Sequence, residues 1–494
     1  MKHIRLCLSL TLLSKSDIHS FMIFYRAPDG VTGDVIPFFH EGQFHLFYLR
    51  GLRGEAAKNQ GMPWRRVVTD DFLKFSDDIE VLAPGALDEP DYFNYTGCVI
   101  QKENTFHIFY TGHNDNQKAK GLPGEVIMHA ASPDLRHWAK DQRVVLEAPA
   151  GYERHDWRDP FVFFNEEAGE YWMLFAARRE QGSKWIRGCV ALAVSRDLVN
   201  WEMCDPFWAP ELYFTHECPD LFRWGDWWYL VYSTFSERFV THYRMSRTLQ
   251  GPWLAPPDDA FDTHSWYAAK TASDGHHRFA FGWLATRGDK DSGYGEWGGD
   301  LVVHEIKQRP DGTLGAFPPS SLSEPFKHRI PIQPQPIIGD WQVSDILACG
   351  GTPGHNAVLL LGEMPPTCLL ETELVFDGQA VAGGILLRAD TDLNQYYLIR
   401  IEPHRQRIVL ARWPRLNCDA PFALTPPFLV ERPLRIEPGK PIPLHLFVDS
   451  TALVVYAGDG VALSTRLCDF KTGQWGLTAI EGRVEFRQPT LRSV

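Results

Sequence analysis

The sequence lacks any recognised cysteine pattern. Nine cysteines occur among 494 residues, and no two of them form a CxxC pair. Zinc sites and redox centres in short motifs use such pairs, and a disulfide framework uses an even number of cysteines. We therefore expect reduced thiols, with neither a disulfide framework nor a metal site.

Positive charge is also scarce. The 49 Lys and Arg residues are outnumbered by 62 Asp and Glu residues, which gives a formal net charge of −13. A nucleic acid would need clustered basic side chains to displace the counterions from its phosphates. The charge balance therefore argues against a nucleic-acid partner and favours a neutral small molecule or an oligosaccharide.

Long hydrophobic runs are absent as well. No stretch approaches the roughly 20 apolar residues of a membrane-spanning helix, so we predict no membrane partner. Residues 1–21 combine a basic start with a short apolar run, but no small-residue cleavage site follows. We interpret them as a leader or a start-site extension of a cytoplasmic protein, with secretion as the alternative if they form a signal peptide. No pattern in the sequence indicates the oligomeric state.

Aromatic residues, in contrast, are abundant, with 17 Trp, 16 Tyr and 31 Phe. The chain is too long for one ordinary core, so two domains are expected. One aromatic and β-branched pattern, typical of a strand that follows a tight turn, recurs along the first part of the chain. Its copies are GQFHLFYLRG (42–51), NTFHIFYTGH (104–113), GEYWMLFAAR (169–178), GDWWYLVYST (225–234) and HHRFAFGWLA (276–285).

A second pattern follows four of these copies at similar offsets. It runs from a strand into a polar turn and ends on an aromatic residue, as in HAASPDLRHWAK (129–140) and LAVSRDLVNWEM (192–203). The repeat unit is long enough for a four-stranded blade, so five copies predict a five-bladed β-propeller. The alternative is a β-sandwich whose strands are similar by coincidence. Against it, the two patterns recur together at similar offsets.

The remainder of the chain also indicates β structure. Residues 323–338 are rich in proline and have little periodicity, which is typical of a stiff linker. Short strands separated by turns follow, such as LLETELVF (369–376) and ALVVYAG (452–458), and they predict a β-sandwich. The predicted all-β organisation is a leader (1–21), a five-bladed β-propeller (22–322), a linker (323–338) and a β-sandwich (339–494).

Three acidic residues occupy equivalent positions in the repeat. The first strand of each propeller blade lines the central axis, so the starts of these strands converge on one pocket. Asp34, Asp159 and Glu217 lie at the starts of the first strands of blades one, three and four. Each alone would be typical of a turn or a cap. Three in the same phase indicate a cluster, in which repulsion and burial raise the pKa of at least one carboxyl.

A cluster of this kind suits the cleavage of a glycosidic bond. One carboxylate attacks the anomeric carbon or activates a water molecule, and a carboxylic acid kept protonated by its surroundings donates to the leaving oxygen. A third acid can hold the sugar hydroxyls. This chemistry needs no metal ion and no organic cofactor.

Two motifs make this interpretation specific. WRDPFVF (157–163) and ECPDLF (217–222) resemble the RDP and EC motifs of glycoside hydrolase family 32, the β-fructofuranosidases. That family has a five-bladed propeller followed by a β-sandwich, so the resemblance covers nearly the whole chain. It implies a retaining enzyme that cleaves terminal furanosides, of which β-fructofuranosides fit best.

The resemblance also implies a role for each acid. Asp34 would be the nucleophile, and Glu217 the acid and then the base. Asp159 would stabilise the transition state by binding ring hydroxyls, with Arg158 as a donor and charge partner. Around Asp34 the chain departs from the family, because the usual WMNDPNG is replaced by GVTGDVIPF (30–38). The carboxylate is kept, but the Trp and both Asn are missing, which leaves the identity of the sugar open.

Position in the repeat adds further candidates for substrate binding. They lie in segments that should face or rim the pocket, where aromatic rings could stack on the apolar faces of sugars or pack in the core. Besides Arg158, these candidates are Asn94, Tyr95, Trp64, Trp157, Trp266, Tyr267 and Trp297.

Three alternatives stay open on the sequence alone. The first is an inverting five-bladed enzyme acting on arabinofuranosides or xylosides, in which Asp34 would be a general base for water. The second is a fructosyl transferase that uses the same three acids. The third is a carbohydrate-binding protein without catalysis, which the missing WMNDPNG motif would explain.

Overall fold

The computed structural model describes residues 23–54, 60–344, 346–416 and 428–494. Regular structure in these ranges is almost entirely β, as predicted, with one turn of α-helix, α1 (Asp115–Ala119). None of the helices in the described ranges is long and apolar enough to cross a membrane. The predicted leader, residues 1–21, lies outside the described residues.

The first part of the chain forms five consecutive antiparallel blades, so the predicted propeller is confirmed. Blade I contains β1 (Val31–His40), β2 (Gln43–Gly51), β3 (Trp64–Thr69) and β4 (Ser76–Leu82); blade II contains β5 (Phe93–Lys102), β6 (Thr105–His113), β7 (Glu125–Ser132) and β8 (Ala139–Leu146); blade III contains β9 (Tyr152–Asn165), β10 (Glu170–Arg179), β11 (Gly188–Ser195) and β12 (Glu202–Met203); blade IV contains β13 (Glu217–Trp224), β14 (Trp227–Thr234) and β15 (Val240–Ser246); blade V contains β16 (Trp266–Ser273), β17 (Arg278–Arg287), β18 (Gly295–Gln308) and β19 (Leu314–Phe317). The recurring aromatic segments are the second strands β2, β6, β10, β14 and β17.

The first strand of each blade lies at the propeller axis. Strands β1, β5, β9, β13 and β16 each contact the first strand of the next blade, and β16 contacts β1. Aromatic side chains fill the spaces between blades, as Phe47, Trp64 and Tyr110 do between blades I and II. The blades therefore pack through their faces, and the starts of the first strands are left to surround a pocket.

Contacts between blades I and V close the ring. Thr32 of β1 pairs with Gly299 of β18. Ahead of β1, Arg26 forms a bidentate ion pair with Asp300 at 2.6 and 2.7 Å. This seam lies immediately before Asp34 in the chain, so the position of that carboxylate depends on ring closure.

Two further sheets form the predicted β-sandwich around a core of Leu, Ile and Val side chains. One sheet contains β20 (His328–Ile330), β22 (Trp341–Val343), β23 (Leu347–Gly350), β25 (Thr367–Phe376), β30 (Ile442–Asp449), β31 (Ala452–Ala457), β32 (Val461–Arg466) and β34 (Val484–Ser493); the other contains β21 (Gln335–Ile338), β24 (Asn356–Glu363), β26 (Ala382–Ala389), β27 (Tyr396–Glu402), β28 (Arg407–Trp413), β29 (Phe428–Pro433) and β33 (Gln474–Ile480). Strands β20 and β21 lie in the proline-rich segment 323–338, which joins the sandwich sheets as well as connecting the domains. The exact domain limits stay a prediction.

A buried polar network joins the propeller to the sandwich. Asp262 Oδ2 lies 2.9 Å from His304 Nε2, and Asp262 Oδ1 accepts from Ser464 N at 2.7 Å. The other ring nitrogen of His304 lies 2.9 Å from the hydroxyl of Tyr456. All four residues are buried. Because each polar group in this network has a partner across the boundary, the two domains share one continuous interior.

Candidate active site

A pocket of about 400 Å³ opens where the first strands begin. Asp34, Asp159 and Glu217 all line it, and they come from blades I, III and IV. The rest of its wall comes from β2 and the segment after it, from β5 and from blade V. The propeller therefore brings together three acids that are far apart in the sequence, as the phase of the repeat predicts.

Two donors hold the carboxylate of Asp34. Trp283 Nε1 donates to Asp34 Oδ1 at 2.8 Å, and Thr96 Oγ1 donates to Oδ2. Burial raises the pKa of Asp34, and both hydrogen bonds oppose that rise because they stabilise the charged form. The carboxylate is thus fixed in one orientation, and its pKa lies above the usual value because burial outweighs the two hydrogen bonds.

Gly33, directly before Asp34, lies under the indole of Trp297. A Cβ at position 33 would lie 2.1 Å from the nearest atom of that ring. The glycine of GVTGD is therefore needed for the close approach of Trp297, which itself lines the pocket. Where the WMNDPNG motif is missing, β18 supplies an indole over the residue that precedes Asp34.

Asp159 has a backbone conformation that is rare for a residue with a side chain, with φ at 61°. This left-handed conformation costs roughly 1–2 kcal/mol, so the surrounding contacts must hold it. Asp159 N donates to Thr111 Oγ1 at 2.8 Å, and Asp159 Oδ2 accepts from Cys218 N at 2.9 Å. Burial raises the pKa of Asp159 to about 6, although the Arg158 charge opposes the rise.

Glu217 is the first residue of β13, and both of its oxygens have partners. Oε1 accepts from Arg158 Nη2 at 3.1 Å, and Oε2 accepts from the hydroxyl of Tyr267 at 2.6 Å. Burial raises the pKa of Glu217; Arg158 opposes that rise, and the nearby charge of Asp159 adds to it. Glu217 therefore keeps its proton to a higher pH than an exposed glutamate, which is what a general acid requires.

Arg158 links Glu217 to a second group of acids behind the pocket. Its Nη1 lies 3.2 Å from Glu125 Oε2 and 3.0 Å from Asp156 Oδ1. Burial would lower the pKa of Arg158, but the surrounding carboxylates raise it well above its usual value. Arg158 is thus a permanent cation, and its side chain is fixed by carboxylates on two sides.

Three predicted aromatic residues line the pocket: Tyr95, Tyr267 and Trp297. The ring of Tyr95 stacks on His113, with centroids 4.4 Å apart and planes at 11°. Tyr267 is stacked on Phe239, with centroids 3.9 Å apart. Each ring is therefore held in place by a neighbour. Their contact with a sugar stays a prediction.

Four predicted substrate-binding residues, Asn94, Trp64, Trp157 and Trp266, lie behind the pocket wall and are fully buried. The side-chain N–H groups donate to backbone carbonyls: Asn94 to Leu82 and Ala83, Trp64 to Tyr95, Trp157 to Leu146 and Trp266 to Val302. The prediction of sugar contact is wrong for these four. It rested on position along a strand, whereas successive side chains of a strand point to opposite faces.

Sequence reasoning missed Trp283, Thr96 and Glu125. Trp283 lies in the recurring segment HHRFAFGWLA and pairs with Tyr267 across β16 and β17. The end of each second strand lies beside the start of a first strand, so the same repeat could have placed this indole at the pocket. Glu125 begins β7, a third strand, and only the folded structure brings it to Arg158.

The sequence itself matches a known family over this region. Residues 34–303 match the model of the "Glycosyl hydrolases family 32 N-terminal domain". The chain belongs to glycosyl hydrolase family 32. A raffinose invertase of Escherichia coli is 25% identical over 460 residues, which cover 87% of this chain and 85% of the relative. A sucrose-6-phosphate hydrolase of the same organism is 24% identical over 449 residues, which cover 86% of this chain and 84% of the relative.

Solved structures extend the family 32 similarity to the overall fold. A sucrose-6-phosphate hydrolase from Lactobacillus gasseri has a TM-score of 0.71 at 16% identity, covering 96% of this chain and 93% of its own. The propeller and the sandwich are therefore both shared.

The pocket of this family 32 protein combines chemically distinct acids. Burial raises the pKa of all three; the two hydrogen bonds that Asp34 accepts oppose the rise there, and the charge of Arg158 opposes it at Asp159 and Glu217. Such a set can supply a nucleophile, a proton and a negative charge close to one another. These are the elements that glycosidic bond cleavage requires.

Proposed function

We propose that this protein hydrolyses terminal β-fructofuranosides with retention of anomeric configuration. The observation that carries the proposal is the convergence of Asp34, Asp159 and Glu217 on one pocket. Membership of glycosyl hydrolase family 32 and similarity to a raffinose invertase and a sucrose-6-phosphate hydrolase support the fructosyl specificity.

The reaction proceeds in two displacements. In the first, Asp34 attacks the anomeric carbon, the bond to the glycosidic oxygen breaks, and Glu217 transfers its proton to that oxygen. In the second, Glu217 takes a proton from water, the water oxygen bonds to the anomeric carbon, and the Asp34 carboxylate leaves. Two inversions at one carbon give net retention.

Asp159 and Arg158 support these steps without changing bonds. Asp159 accepts hydrogen bonds from sugar hydroxyls and places negative charge near the developing oxocarbenium ion. Arg158 Nη2 holds Glu217 Oε1 at 3.1 Å, so the other oxygen of Glu217 faces Tyr267. Arg158 is a positioning residue in this proposal.

The test is a substrate screen combined with stereochemistry. Wild-type protein is assayed on sucrose, inulin, levan, difructose anhydrides and aryl arabinofuranosides, and NMR identifies the first anomer released. We expect turnover on fructosides, with the β-anomer of fructose formed first. First release of the α-anomer would overturn retention, and turnover confined to arabinofuranosides would overturn the substrate class.

Two variants test the assigned roles. Asp34→Asn should abolish measurable turnover, and Glu217→Gln should lower kcat by a factor on the order of 10² to 10⁴. An aryl fructoside with a good leaving group should lose least in Glu217→Gln, because it needs little proton donation. Asp226→Asn is the matched control, since that side chain is 87% exposed. Full activity in Asp34→Asn would contradict the proposal.

We also propose that the protein acts in the cytoplasm. The seven described cysteines are all free thiols, and six of them are buried. Free thiols persist in a reducing compartment. Cell fractionation followed by a fructosidase assay tests this, and activity in the external medium would contradict it.

A further inference from the structure

Four aromatic side chains form a strip on the face of the propeller that carries the pocket. They are Trp185, Phe214, Phe235 and Phe239, and we call them the aromatic strip. Trp185 is 66% exposed, Phe235 43% and Phe239 38%. Exposed apolar surface on a soluble protein is costly, and a contiguous patch of it marks a binding surface.

Three rings of the strip contact one another in series from blade III to blade IV, and the fourth lies in the same loop as the third. The ring of Trp185, between β10 and β11, lies with its centroid 5.9 Å from that of Phe214, and Phe214 lies 5.6 Å from Phe235. Phe235 and Phe239 belong to the same short loop between β14 and β15. Connections between second and third strands lie on the same face as the starts of the first strands, because neighbouring strands are antiparallel.

One end of the strip meets the pocket at Glu217. Phe239 stacks on Tyr267 with an interplanar angle of 18°, and the Tyr267 hydroxyl donates to Glu217 Oε2. The strip therefore starts beside the carboxyl that donates a proton to the leaving oxygen in the proposed reaction.

A series of ion pairs connects Phe214, in the middle of the strip, to the carboxyl of Glu217. The Arg178 guanidinium lies 3.5 Å from the centroid of the Phe214 ring and contacts Asp156 Oδ2 at 3.0 Å. Asp156 in turn pairs with Arg158, which holds Glu217. Phe214 is thus positioned by the network that positions the proposed acid.

From this arrangement we infer that the aromatic strip binds additional sugar units of the leaving group, so that the substrate is an oligosaccharide rather than a disaccharide. The inference rests on the proposed function. A leaving group must depart past the residue that protonates it, and Phe239 of the strip stacks on the tyrosine that is hydrogen-bonded to Glu217. Aromatic rings offer flat apolar faces to the C–H faces of sugars, and the strip spans several such rings in sequence.

The test measures how activity depends on chain length. Wild type, Trp185→Ala and Phe235→Ala are assayed on sucrose and on inulin-type and levan-type oligosaccharides of increasing length. In each variant, the ratio of kcat/KM for a pentasaccharide to kcat/KM for sucrose should fall about tenfold, the loss of one stacking contact. Trp413→Ala is the matched control, because that indole is 47% exposed on β28 of the sandwich.

The outcomes separate the inference from the proposed function. A ratio unchanged in both variants, or lowered equally in Trp413→Ala, overturns the strip as a glycan site. If the kcat/KM ratio falls only for inulin-type or only for levan-type oligosaccharides, the result supports the strip as a glycan site and identifies the linkage that it binds. If wild type cleaves no fructoside, the proposed function fails, and calorimetry with the same oligosaccharides then decides: weaker binding in Trp185→Ala supports the strip, and equal binding overturns it.

Discussion

Tyr267 donates its phenolic hydrogen to Glu217 Oε2 at 2.6 Å. Arg158 donates to the other oxygen of the same carboxyl. Both bonds stabilise the charged form of Glu217, while burial stabilises the protonated form. The pKa of the proposed acid therefore depends on burial and on both hydrogen bonds. Replacing Tyr267 removes one of these bonds and leaves the bond from Arg158 in place.

Tyr267→Phe should move the alkaline limb of the pH profile to higher pH. The lost hydrogen bond lowers the pKa of Glu217 in the wild type, so its removal raises that pKa and keeps the acid protonated further into the alkaline range. The profile of kcat/KM against pH measures the shift. Tyr396→Phe, in the sandwich, should leave both limbs unchanged. A shift of the acid limb alone would contradict the role of Glu217 as acid.

Thr96→Val should move the opposite limb. The hydroxyl of Thr96 donates to Asp34 Oδ2 and lowers the pKa of that carboxyl. Without it the pKa of Asp34 rises, so the proposed nucleophile becomes protonated at a higher pH and the acid limb of kcat/KM moves to higher pH. The same pH profile provides the measurement. If Thr96→Val and Tyr267→Phe moved the same limb, the separate roles of Asp34 and Glu217 would be wrong.

Asp159→Asn should stabilise the fold at neutral pH while lowering activity. The pKa of Asp159 is about 6 in the folded protein against 3.8 for the free side chain, so the native state loses stability as the pH rises from about 4 to 6. Asparagine carries no charge and can still accept from Cys218 N. We expect a gain of about 2–3 kcal/mol in the free energy of unfolding at pH 7.5 and none at pH 4.

Calorimetry at the two pH values checks the Asp159→Asn prediction through the midpoint of thermal unfolding. The difference between variant and wild type should appear on going from pH 4 to pH 7.5. An equal difference at both pH values would show that the effect does not come from the charge of Asp159.

Gly33→Ala should destabilise the protein through Trp297. A Cβ at position 33 meets the indole at 2.1 Å, and overpacking of this kind costs about 1–3 kcal/mol. The three atoms nearest to that Cβ all belong to Trp297. The cost should therefore largely vanish when Gly33→Ala is made together with Trp297→Ala. Additive effects in the double variant, measured by chemical unfolding, would exclude this contact as the cause.

The repeat made the propeller predictable, because two patterns that recur together along the chain indicate a series of similar blades. The phase of the repeat also placed Asp34, Asp159 and Glu217 at one pocket. The phase of the repeat does not distinguish side chains that face the pocket from side chains that face the core on the same strand. It therefore placed Trp64, Trp157 and Trp266 at the pocket, whereas the structure has them buried in the core.

Specific hydrogen bonds between residues of different blades could not be predicted from the sequence, for a different reason. Trp283 reaches Asp34 from the far end of the propeller sequence, 249 positions away. Glu125 reaches Arg158 from a third strand. The repeat could have placed Trp283 at the pocket, but neither of these two pairings leaves a local pattern, because each depends on the angle between neighbouring blades.

The seam between blades I and V also sets how much of the chain must be made before the pocket can be completed. Asp34 is made early, yet its indole donor Trp283 and the ring that covers Gly33 belong to the last blade. A nascent chain therefore lacks these contacts to Asp34 and Gly33 until blade V has been synthesised. The onset of the proposed fructosidase activity in a timed translation reaction would report the moment at which the ring closes.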